Sequence, residues 1–77
     1  MTTILISAKD RSGLVMDVAT VLNTLNAKVR SLNARTSGIN IAMVTVTLEV
    51  KDSAELRYIT NRLAHIQGVS SVTRNGA

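Results

Sequence analysis

Between residues 9 and 14 the chain reads Lys-Asp-Arg-Ser-Gly-Leu, a charged, glycine-bearing turn between a strand-like run and an apolar-periodic segment. Those residue types suit one kind of chemistry. The amides that open a helix have no intrahelical partner and carry partial positive charge, so a carboxylate or phosphate can rest on them. Gly13 lacks the Cβ that would obstruct such a ligand. A plainer arrangement fits the same residues. In it Ser12 caps the helix with its own oxygen, Gly13 packs closely, and Arg11 pairs with Asp10 or Asp17 on the surface. Other chemistry has few candidates. His65 is the single histidine and cysteine is absent, so a metal site lacks ligands. Ser7, Ser12 and His65 form no recognisable nucleophile motif. The reading is of a non-catalytic chain without a cofactor.

The elements that must position the turn follow from periodicity. Residues 3 to 9 alternate, with Ile4, Ile6 and Ala8 on one side, as a half-buried strand does. After the turn, Leu14, Val18, Val21, Leu22 and Leu25 recur at helical spacing, and Asn23 and Asn26 suit that helix's end. Residues 28 to 36 alternate imperfectly and read as a second strand. Ser-Gly-Ile-Asn at 37 to 40 is a reversal. Residues 41 to 50 form the clearest strand, with Ala42, Val44, Val46, Leu48 and Val50 on one face. Asp52 and Glu55 make a capping box for a second helix carrying Leu56, Ile59, Leu63 and Ile66. Gly68 stands where a C-cap glycine belongs, and residues 69 to 74 read as a final strand. The order βαββαβ predicts an α+β, ferredoxin-like two-layer sandwich: a four-stranded antiparallel sheet with two helices on one face. The uncovered face then presents Ile41 and Met43 among threonines.

Bulk properties set limits on partners. Seventy-seven residues make one small domain spanning 1–77. Apolar residues are 45% of the chain, but Tyr58 is the only aromatic one. Such an aliphatic core leaves a monomer marginal, which points to a homodimer through Ile41 and Met43 or to a larger parent chain. No apolar run reaches the roughly 18 residues of a membrane span, nor does the N-terminus read as a signal peptide, so the cytoplasm is the expected location. The net charge of +4 is modest. Lys28, Arg30 and Arg35 lend the second strand a basic character; they suit phosphate contacts to RNA or a charged edge that resists aggregation.

This architecture serves many functions, and the site must choose among them. An RNA-recognition motif needs aromatics on its central strands to stack bases, and these strands have none. A heavy-metal-binding relative needs two cysteines in the loop after the first strand, where Asp-Arg-Ser-Gly stands instead. A small-molecule regulatory domain, which uses that loop as an amide-rich pocket, keeps its key element.

The segment Lys-Asp-Arg-Ser-Gly-Leu-Val-Met-Asp-Val-Ala-Thr-Val-Leu, 9 to 22, resembles the opening motif of ACT domains. The flanking Ile-Ser-Ala-Lys-Asp-Arg-Ser-Gly-Leu and the later run from Ala34 to Val50 are similar to the C-terminal ACT domain of Rel/SpoT-type guanosine tetra- and pentaphosphate synthetase/hydrolases. The resemblance covers essentially the whole chain. It implies a regulatory fragment of a larger protein that acts in the stringent response, with hydrolase and synthetase domains elsewhere in the parent. It also implies pairing through strands or helices, and an amino-acid effector at Asp10, Arg11, Ser12, Gly13, Leu14 and Val15. The parent's catalytic domains and the ribosome are the further partners it suggests. One departure stands out: many amino-acid-binding members have asparagine just after the first helix, and Lys28 occupies the matching position here.

Overall fold

The computed structural model describes residues 1–36 and 38–75. Its elements are β1 (Thr2–Lys9), α1 (Leu14–Thr24), β2 (Lys28–Thr36), β3 (Ile41–Glu49), α2 (Ser53–Ala64) and β4 (Val69–Asn75). The strands form one sheet in the order β2-β3-β1-β4, with every neighbouring pair antiparallel. Both helices cover one face. This is the expected ferredoxin-like βαββαβ sandwich. The reversal expected at 37–40 includes Ser37, which lies outside the described residues.

Alternation on the two central strands makes the core. Ile4, Ile6 and Ala8 of β1 pair across to Val46, Val44 and Ala42 of β3. Residues directly opposite in an antiparallel pair share a face, so these six side chains form one aliphatic floor. Leu14, Val18 and Leu22 of α1 and Leu56, Ile59 and Leu63 of α2 close over it, and all are buried. No polar or charged side chain is buried among the described residues. The opposite face carries Thr3, Leu5 and Ser7 beside Met43, Thr45 and Thr47, and the Thr3 and Thr47 hydroxyls lie 3.1 Å apart.

The edge strands depart from simple alternation for a shared reason. The β2–β3 register shifts between Val29 and Ser31, so Val29 lies opposite Leu48 and Leu32 opposite Val46. Two apolar residues three apart thus face the helices. β4 repeats the device: its register with β1 shifts so that Val69 lies opposite Ala8 and Val72 opposite Ile6. A bulge inserts one residue and bends the strand, which also makes an edge a poor template for further pairing.

Helix ends are set by local chemistry. The Asp52 side chain accepts a hydrogen bond from the Glu55 amide at 2.8 Å, and Glu55 Oε1 accepts from the Lys51 amide at 2.8 Å. The capping box is present, with its return bond one residue earlier than the cap. α1 ends with Asn26 at φ 57; the Asn26 amide bonds to the Asn23 carbonyl and the Ala27 amide to the Leu22 carbonyl, both at 3.0 Å. That is a Schellman motif with asparagine in place of glycine. Gly68 plays a different part from the C-cap expected of it. α2 is capped by His65 in right-handed geometry, and Gly68, at φ 92, lies in the turn into β4, where its carbonyl accepts from the Lys9 amide at 2.8 Å.

Burial and capping predict distinct costs in urea denaturation. Leu63→Ala, at a fully buried position, destabilises by about 2–5 kcal/mol. Asp52→Ala costs about 1 kcal/mol. Equal effects from the two substitutions would contradict this division.

Candidate functional site

The turn from Asp10 to Gly13 lies at one end of the sheet, gathered between two other turns. The Asp10 amide donates to the Asn40 carbonyl at 2.8 Å, which ties the loop to the β2–β3 turn. Arg11 ties it to the α2–β4 turn. Its Nε donates to the Gln67 carbonyl at 3.0 Å and one terminal nitrogen donates to the Ser12 carbonyl at 3.1 Å. The other terminal nitrogen forms an ion pair with Asp17 on the first turn of α1. Arg11 therefore links loop, helix and distant turn through one planar, multi-donor group.

The serine cap of the plainer arrangement is absent. Gly13 is the N-cap residue of α1, at φ 83, and no side chain bonds to the helix start. This backbone region excludes most residues with a Cβ, which accounts for glycine here. Space does not: a Cβ at Gly13 would meet only the Arg11 guanidinium, at 3.9 Å. The Leu14 amide bonds to the Arg11 carbonyl at 3.3 Å and the Asp17 amide to the Gly13 carbonyl at 2.9 Å. Between them, the Val15 and Met16 amides have no side-chain cap. They form the part of the helix start suited to an anion.

The six expected ligand residues thus divide. Leu14 is buried in the core beneath the helix, so its side chain holds the loop rather than a ligand. Arg11 is half-buried and engaged on three protein acceptors. Asp10, Ser12, Gly13 and Val15 are exposed, and Val15 stands beside Met16, which is 70% exposed. Asn40 and Gln67, which contribute carbonyls to the loop, carry no signal of this role in the sequence.

The second-strand cations do not converge. Arg30, at the β2 bulge, pairs with Glu49 at 3.1 Å, and Lys28 lies opposite the same Glu49 in the register. Arg35 is opposite Met43, seven residues from Lys28 and about 23 Å along the strand. Ile41 and Met43 both lie on the uncovered sheet face, Ile41 exposed and Met43 half-buried between its cross-strand neighbours Ser7 and Arg35.

Known proteins with this arrangement share the same architecture. The ACT domain from the GTP pyrophosphokinase of Chlorobium tepidum superposes with a TM-score of 0.83 at 22% identity, over 95% of this chain and 94% of that one. The acetolactate synthase small subunit from Thermotoga maritima gives 0.84 at 14% identity, over 95% of this chain and 45% of the other. The C-terminal domain of MgtC from Mycobacterium tuberculosis gives 0.77 at 14%, over 99% and 85%. No curated protein matches significantly in sequence. The family model described as ACT domain matches residues 1–74. With its glycine-led helix start and β2-β3-β1-β4 sheet in place, the chain belongs to the ACT domain family.

Proposed function

We propose that this chain is a non-catalytic sensing domain that binds a small carboxylate, an amino acid in the first instance, at the start of α1. The observation that carries the reading is the α1 N-terminus, which opens on a left-handed glycine with no side-chain cap. Side chains commonly satisfy such amides; here Ser12 leaves them free of one. Membership of the ACT family and the similarity to the domain from a GTP pyrophosphokinase support a regulatory role. On this reading the domain is part of a larger cytoplasmic protein of the Rel/SpoT type and signals amino-acid status to its synthetase and hydrolase domains. A second copy packs against it, using the uncovered sheet face around Ile41 and Met43.

A docking reading, in which β2 contacts ribosomal RNA or a protein, has the exposed cations of that edge in its favour. The spacing weighs against it: Lys28 and Arg35 stand about 23 Å apart along the strand, so these cations form no single patch.

Titration with branched-chain and other amino acids, followed by calorimetry and amide chemical shifts, tests the sensing reading. Heat, and shifts centred on residues 12 to 16, are expected; silence in both would end it. Ser12→Glu sets a carboxylate beside the helix start. It leaves stability unchanged or raised by a few tenths of a kcal/mol while weakening the carboxylate ligand, and retained affinity would count against amide binding.

Arg11→Ala removes three hydrogen bonds from a partly exposed guanidinium. It costs about 1–2 kcal/mol and broadens the loop resonances. Sedimentation equilibrium should show a dimer that Met43→Glu dissociates; a monomer at high concentration would refute the pairing.

A further inference from the structure

A concave site lies on the helix layer, between α1 and the end of α2. It is a groove of about 530 Å³, within the size range of small-ligand sites. Val21 and Ile66 give it an apolar floor, both packed against the core from their half-buried positions. Its walls are polar, and their charges are not balanced. Asp17 lines the groove, but its carboxylate is already countered by Arg11. Arg62, on the last turn of α2, also lines it. Among the described residues Arg62 forms no ion pair. The uncompensated charge in the groove is therefore positive and stands at the edge of an apolar floor.

We infer that this groove binds a small organic anion with an aliphatic body, its carboxylate on Arg62 and its hydrocarbon on Val21 and Ile66. A guanidinium holds a carboxylate through charge-assisted, paired hydrogen bonds. An aliphatic body of a few carbons covers the half-buried floor. The only carboxylate that lines the groove, Asp17, already has its charge countered by Arg11 through Oδ2 and so attracts an α-ammonium group less than a free carboxylate would; a simple carboxylate suits the groove better than the corresponding amino acid.

The groove is also wired to the β1–α1 loop. Two of its lining residues, Asp17 and Gln67, are the residues that Arg11 grips through its terminal nitrogen and Nε. The groove is distinct from the α1 helix start and goes beyond the sensing role proposed above.

The test titrates the 77-residue chain with isocaproate, its neutral amide isocaproamide, and leucine, and follows backbone amide shifts. Isocaproate should move Thr20, Val21, Ile66 and Gln67 and bind more tightly than leucine, and isocaproamide should bind least. Arg62→Gln, at an exposed position that leaves the fold intact, should weaken isocaproate about tenfold or more. Arg57→Gln, outside the groove, should leave it unchanged. Three outcomes would overturn the inference: no shifts at these four amides, affinity indifferent to Arg62→Gln, or isocaproamide binding as well as the acid. A leucine response confined to residues 12 to 16 and unaffected by Arg62→Gln would leave the loop reading standing and remove this one.

Discussion

Everything in this molecule depends on burying one face of β1 and β3 beneath two helices using aliphatic side chains alone. Phenylalanine and tryptophan would fill the layer with few residues; without them, Ile4, Ile6, Val44, Val46 and Leu48 must interdigitate with Val18, Leu22 and Leu63. Close packing of branched residues tolerates little displacement. It fixes the register of β1 on β3, because a slip of one residue would turn Thr3, Leu5 and Ser7 inward. It also fixes where β1 ends and α1 must begin, since Ala8 and Leu14 are both buried in that core. Five residues remain to reverse direction and open a helix, and a left-handed residue at position 13 is part of that path.

The loop so constrained is held by groups far away in sequence. Lys9 and Asp10 donate backbone hydrogen bonds to Gly68 and Asn40, and Arg11 reaches Gln67. Three turns that meet at one end of the sheet thereby become a single assembly. Each of these bonds involves a backbone carbonyl, so the side chain at Gln67 is not specified by them, whereas Asn40, at φ 60, suits a left-handed turn position that most residues disfavour. Two ion pairs lie among the described residues, one of them inside this assembly. Arg11 neutralises Asp17, and Glu49 pairs with Arg30 on the far edge. Surface pairs of this kind add little to stability, but a guanidinium with three acceptors also orders the backbone that those acceptors belong to.

Much of this was readable from residue order, and the reasons for the exceptions are physical. β1 and β3 alternate cleanly because both are central and unbulged. The α2 cap depends on residues three apart, Asp52 and Glu55, and such local chemistry is legible wherever it occurs. β2 looked irregular because Val29 and Leu32 face the same way across a bulge, which a period of two cannot represent; Val69 and Val72 repeat the pattern. Ser12 had the right residue type for a helix cap. Its position lost that role to Gly13, whose backbone angle belongs to a turn tied to residues 40 and 67. Gly68 shows the same effect, as tertiary bonding decided which turn the glycine serves. Side chains that converge from different elements, such as Arg62 and Asp17, leave no trace in spacing at all.

The division of labour in the loop bears on what kind of recognition it can perform. Its one cation, Arg11, is occupied within the fold, and its open donors are backbone amides. Backbone amides distinguish an anion from a neutral group, but they present the same chemistry to every carboxylate. Selectivity among carboxylates must then arise from what lies around the helix start. On this chain that is exposed and apolar: Val15 and Met16 flank the amides, and neither is covered by the domain itself. A surface that supplies charge complementarity but leaves its apolar wall open is incomplete as a specific site. An anion resting on these amides would meet no apolar wall within the domain, so discrimination among carboxylates would need a surface from outside it.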